Sequence, residues 1–297
     1  MAALLLLLAF VLLWASGYVV GALGVAVADP LALLVVRFLL ASLVIVPLAL
    51  RVPGWRRAPY RRLVTIGLLL QAVQFGFGYS ALRLGVHPAL MALVMLGLTP
   101  LVTTAAAGAL AMEQPRPATW AALAAGLLGV AVSLAPSLGD ARVGAGVALV
   151  LVAMLGLAGG SLLQKRWGGD VDPRIAVAVQ SLVGAAVLGP VALLSGQTHV
   201  TLGPQFVECV LWLAWAGTVG AMVLQALLLQ RLPLSVVSAT LLTVPPVTAL
   251  MALALLGDPV APLTLVGMPI TLAAVAAVVR RRPPTTAAGR APVPARR

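Results

Sequence analysis

Apolar residues run through this chain in ten long blocks, and the polar residues fall mostly between them. The blocks cover approximately residues 3–28, 31–50, 63–82, 88–112, 118–138, 143–163, 174–195, 207–229, 234–256 and 262–279. About 20 consecutive apolar residues in a helix cross a bilayer core, so each block predicts a transmembrane helix. The connections are too short to hold a soluble domain. Barrel strands would show as short alternating segments, which continuous blocks exclude. The predicted fold class is an all-α polytopic membrane protein with ten transmembrane helices. The first block could pass for a signal peptide, with its apolar run and Ala15-Ser16-Gly17. It lacks a basic start, however, and stays apolar as far as Ala28. It is therefore expected to be a retained span.

The pattern repeats. A shift of 145 positions lays Pro88 on Pro233, Leu96 on Leu241, Pro100 on Pro245, Val102-Thr103 on Val247-Thr248, and Glu113 on Asp258. In both copies an acid closes a long apolar run thirteen residues after a proline. The repeat unit holds five helices. An odd unit forces the second copy to enter the membrane with opposite polarity, an arrangement common in secondary transporters. The expected division is a first repeat over 1–138, a second over 139–280, and a tail over 281–297.

Charge then assigns the sides. Of 297 residues 62% are apolar and 9% charged, with 19 Lys+Arg against 7 Asp+Glu. Soluble chains run about 45–50% apolar and about 25% charged, so an ordinary cytosolic enzyme is excluded. The net charge of +12 rests on too few groups to coat a nucleic-acid-binding surface. With the N-terminus in the cytoplasm, sixteen of the nineteen basic residues fall on the inner side. Arg83 and Arg142 fall on the outer side, and Arg37 lies within a span. Basic residues favour the cytoplasmic face, so both termini are expected there. The tail, rich in Pro, Thr, Ala and Arg, is expected to be disordered. One cysteine, Cys209, permits no intrachain disulfide.

Several local patterns together resemble the EamA family of the drug/metabolite transporter superfamily. Trp14-Ala15-Ser16-Gly17-Tyr18 is similar to the opening of that family's first helix, and Asp29-Pro30 with Arg37-Phe38 to its second. Tyr79-Ser80-Ala81-Leu82 with Pro88-Ala89 resembles the junction of helices three and four. Thr99-Pro100-Leu101 ending at Glu113 resembles helix four, and Gln164-Lys165-Arg166-Trp167 and Pro245 to Asp258 look like the matching pieces of the second copy. Where this chain has Asp258, the family more often has Glu. The resemblance spans about residues 3–280. It implies a ten-helix carrier of the bacterial inner membrane that exports amino acids, metabolites or drugs by alternating access.

Polar groups at membrane depth are the candidates for chemistry, because each is unfavourable unless used or paired. Gln71, Gln74 and Tyr79 in the third span, Gln225 in the eighth, and Trp14 and Tyr18 in the first are expected to line a substrate cavity. Met91, Met95 and Thr99 recur on one face of the fourth span, and Met91 and Met95 suit a permissive pocket. For each, helix packing is the competing reading. Arg37 reads as an anion-attracting or gating group, or as a structural residue that snorkels outward. Pro100 and Pro245 read as hinges or tolerated kinks. Trp212 and Trp215 read better as interfacial anchors. Glu113 and Asp258 are expected to cap or pair at the membrane surface.

No carboxylate or histidine sits at mid-depth; His87 and His199 fall in outer loops. A facilitator or exchanger is therefore expected rather than a carboxylate-coupled proton carrier. An intramembrane protease would need a membrane-depth Ser and His in reach of each other, and a metal hydrolase clustered His, Asp or Glu. Neither pattern occurs, so no enzyme, cofactor or metal is expected. A flippase for amphiphiles on the same fold is the alternative. The expected partners are a small-molecule substrate and the lipid bilayer, without nucleic acid, in a monomer.

Overall fold

The computed structural model describes residues 2–86, 88–138, 145–257 and 260–280. Asp258, His87, Arg142 and the tail 281–297 lie outside them. The described residues contain ten helices long and apolar enough to cross a membrane: α1 Leu4–Val25, α2 Pro30–Leu50, α3 Tyr60–Arg83, α4 Leu90–Ala109, α5 Pro117–Pro136, α6 Gly146–Trp167, α7 Pro173–Leu194, α8 Pro204–Arg231, α9 Leu234–Leu256 and α10 Pro262–Arg280. Five of the ten begin on a proline. At a first helical position the missing N–H would have had no partner, and the fixed φ already suits a helix.

The packing is that of two interlocked copies. The most extensive contacts join α5 to α10 and α2 to α7, each helix against its own counterpart in the other repeat. The remaining contacts also come in matching pairs: α3 packs on α6 as α8 does on α1, and α4 on α6 as α9 does on α1. This is the arrangement that a pseudo-twofold axis between inverted repeats requires. The α5–α10 seam is close enough that backbones touch. A Cβ added at Gly129 would lie 2.8 Å from the Thr271 amide and 2.9 Å from the Gly267 carbonyl oxygen.

The surface is apolar and the interior carries the polar side chains. Leu43, Leu193 and Leu194 are exposed on the outside of the bundle. Gln71, Gln180, Ser181, Thr99, Thr218 and Thr271 are buried inside it. This inverts the soluble pattern and matches a lipid solvent, in which leucine needs no shelter and an amide does.

Four of the described spans are not α-helical throughout. α3 widens to π geometry over Leu68–Phe77, α4 over Leu93–Gly97 and α8 over Leu213–Ala221. Leu213 lies 145 positions beyond Leu68, the offset that aligns the two copies, so α3 and α8 carry the same distortion at the same depth. In α9 the place corresponding to the α4 distortion holds a tight 3-10 turn, Leu241–Thr243, directly ahead of Pro245. Pro100 and Pro245 thus each follow a break in regular helix, and both are buried. Threonines satisfy carbonyls around these breaks: Thr99 bonds Met95, Thr103 bonds Thr99 at 2.9 Å, and Thr243 bonds Thr240 at 2.7 Å.

Candidate functional site

The three π stretches face a common space. A cavity of about 390 Å³ lies between α1, α3, α4 and α8, with Arg37 of α2 in its wall. It reaches from mid-bundle to the end that bears the α1–α2 turn. Trp14, Gly17, Tyr18 and Gly21 come from α1, Gln74, Phe75 and Tyr79 from α3, Met91 and Met95 from α4, and Gly217, Ala221 and Met222 from α8. Both repeats therefore contribute. π-helical segments project side chains that a regular helix would turn away, and they recur at functional sites.

Arg37 organises the wall. It is only 4% exposed, and its Nε donates to Thr218 Oγ1 at 2.7 Å. Its guanidinium sits 4.5 Å from the centroid of the Phe75 ring and 5.6 Å from that of Phe38. The Tyr79 phenol also lies in its reach. The ion pairs among the described residues are Arg83–Asp29 at 3.1 Å and Arg174–Asp172 at 2.8 Å. Arg37 has no carboxylate partner among those residues. It does not snorkel to the surface. The aromatic side continues through edge-on contacts, Phe38–Phe75 at 6.0 Å and Phe75–Tyr79 at 6.3 Å, and the Trp14 indole approaches the Tyr18 hydroxyl.

Of the sequence candidates, Trp14, Tyr18, Gln74, Tyr79, Met91, Met95 and Arg37 meet at this cavity. Gln71 and Gln225, expected beside them, are not among its lining residues. Gln71 is fully buried against α7, where a Cβ added at Gly184 would lie 3.0 Å from the Gln71 Cβ. Its Nε2 and Oε1 have no hydrogen-bond partner among the described residues. The wider π turn rotates Gln71 away from Gln74, so the i, i+3 spacing no longer puts both on one face. Gln225 donates instead to Ser161 at 3.1 Å, tying α8 to α6. Pro100 and Pro245 lie outside the lining. Trp212 and Trp215 are exposed on the outside of the bundle, and Trp212 donates to Ser16 at 3.0 Å. Sequence reasoning missed Phe75, Gly217 and Thr218. Thr218 is the sole hydroxyl in the Leu213–Ala221 stretch, at the depth where Arg37 needs an acceptor.

The opposite end of the bundle is tied shut. Glu113, buried just beyond α4, accepts hydrogen bonds from the backbone N–H groups of Leu234 and Ser235, the first residues of α9. Lys165 of α6 donates to the carbonyls of Leu229 and Leu232 at 2.7 and 2.8 Å and lies in the field of Glu113. Gln230 of α8 donates to Gly168 and Val171, both at 2.7 Å. Gln180 donates to Gln164 at 2.7 Å. At the cavity end, Asp29 accepts from the His199 amide at 2.9 Å and from Arg83. A carboxylate at a helix N-terminus supplies the charge that the orphan N–H groups favour.

Ten apolar helices, an internal twofold repeat and a central cavity walled by both repeats define a multi-pass membrane transporter. The chain belongs to the EamA-like transporter family, whose model matches residues 1–135 and again 144–280. A crystal structure of a protein 20% identical in sequence shares the fold, with a TM-score of 0.83 over 95% of this chain and 97% of that one. No curated protein matches the chain.

Proposed function

We propose that the protein is an inner-membrane secondary transporter that exports small organic metabolites, amino acids or drugs through the central cavity by alternating access. What supports this reading is the cavity itself: about 390 Å³, walled by both repeats, and lined by Trp14, Tyr18, Phe75 and Tyr79 beside Gln74 and Arg37. Pockets of roughly 300–1,000 Å³ hold small organic ligands. The basic residues of the α2–α3 and α6–α7 connections favour a cytoplasmic Glu113–Lys165 end, with both termini on that side in this reading. The cavity then communicates with the outer face while the inner end is closed. The carboxylate that clamps α9 and the lysine that clamps α8 would have to part for the inner side to open. The π and 3-10 turns ahead of Pro100 and Pro245 are suited to absorb that movement. With no carboxylate in the described lining, the reading remains a facilitator or exchanger, acting as a monomer.

The test is transport by purified protein in proteoliposomes, with a panel of amino acids, organic acids and amphiphilic drugs. The reading predicts saturable flux of at least one class, reduced at least tenfold by Trp14→Ala. Absence of saturable flux across the panel contradicts it. Accumulation driven by an imposed pH gradient would overturn the facilitator assignment.

A further inference from the structure

We propose that the cavity selects compounds that combine an anionic head, a carboxylate in the simplest case, with an apolar or aromatic body. The inference rests on reading the cavity as the substrate site. Arg37 lines the cavity, and no Asp or Glu is among the lining residues. Among the described residues its charge is met by a hydroxyl and by aromatic faces, not by a carboxylate. A cation in a low-dielectric wall without a counter-ion leaves a positive potential in the space it faces.

The guanidinium is also held in a definite pose. Thr218 takes its Nε, and the centroid of the Phe75 ring lies 4.5 Å from its Cζ. Gly217 leaves room for the other edge, since a Cβ there would come within 3.2 Å of Nη2. An arginine fixed in plane offers paired N–H donors that match the two oxygens of a carboxylate. The rest of the lining is aromatic and thioether, with Trp14, Tyr18 and Met91 suited to an apolar body. A cationic compound meets no carboxylate in that lining. A neutral one gains no charge attraction from Arg37.

Three probes of similar size and shape separate the possibilities: 3-phenylpropionate, 3-phenylpropanol and 3-phenylpropylamine. Equilibrium dialysis against the detergent-solubilised protein at neutral pH measures binding of each. The acid is expected to bind about tenfold or more tightly than the alcohol, which is the range of a hydrogen bond to a charged group, and the amine most weakly. Arg37→Gln is expected to erase the advantage of the acid over the alcohol, and Arg37→Lys to restore part of it. The comparison among the three probes needs no variant, so misfolding of an Arg37 substitution does not rescue the idea. If the acid binds no better than the alcohol, the assignment is overturned. Trp14→Ala and Tyr18→Phe tell the two failures apart. If they weaken all probes while the acid holds no advantage, only the anion assignment falls. If they change nothing, the cavity reading falls with it.

Discussion

Replacing Glu113 by alanine removes the clamp at the closed end, and the structure sets the size of the effect. The Glu113 carboxylate is 3% exposed and accepts from the backbone N–H groups of Leu234 and Ser235. Those donors start α9 and have no intrahelical acceptor. A buried donor left unpaired costs about 1–3 kcal/mol, and loss of a helix cap about 0.5–2 kcal/mol. A figure of about 2 kcal/mol for local opening is therefore expected, which is about a 30-fold change in an opening equilibrium. Hydrogen–deuterium exchange of the protein in lipid nanodiscs reads it directly, in the segment Leu234–Thr240. Exchange there should accelerate by about 30-fold, with α5 and α10 unchanged. Glu113→Gln, which keeps an acceptor oxygen but loses the charge, should show a smaller acceleration. Exchange in Leu234–Thr240 unaltered by Glu113→Ala would refute the argument that this carboxylate holds its end of the bundle shut.

Other consequences are equally direct. Gly267→Ala would drive a methyl onto the Gly129 carbonyl oxygen and to 2.6 Å from the Ser133 amide. It should lower stability by about 1–3 kcal/mol, read as a fall in the thermal midpoint. Gln71→Leu replaces a buried amide without partners by an apolar group of similar size, so stability should hold or rise, and transport should persist because Gln71 lies outside the cavity. Asp172 caps α7, and its hydrogen bond from Arg174 holds its carboxyl below the ordinary aspartate range. The stability it supplies is present above the unfolded pKa and lost as pH falls through the lower, folded one. The first turn of α7 should therefore be better protected than in Asp172→Asn at neutral pH, and that advantage should vanish as pH falls through the folded pKa, as exchange against pH would show.

The sequence made the number of spans, the duplication and most of the cavity legible, because lipid burial writes long apolar blocks that no soluble fold needs. The ends were less legible. The sixth block stops at 163, yet α6 runs to Trp167, because Gln164 pairs with Gln180 and Lys165 reaches carbonyls of α8. Polar residues that end an apolar run can continue the helix when a neighbour accepts them. That Gln71 and Gln74 face different neighbours was not legible, because a π turn leaves no mark in hydrophobic spacing. The role of Glu113 was only half visible: an acid after a span suggests a cap, but not the cap of a helix in the other repeat.

The central claim is that substrate occupies the space between the repeats. Gly17 lines that space, and a side chain placed there meets no atom within 4 Å at its Cβ. Gly17→Cys in a Cys209→Ala background gives a single thiol inside the cavity. Labelling it with a membrane-impermeant maleimide should stop transport, and any compound the protein moves should slow the labelling. Full transport after complete labelling, with no protection by the transported compound, would contradict the account.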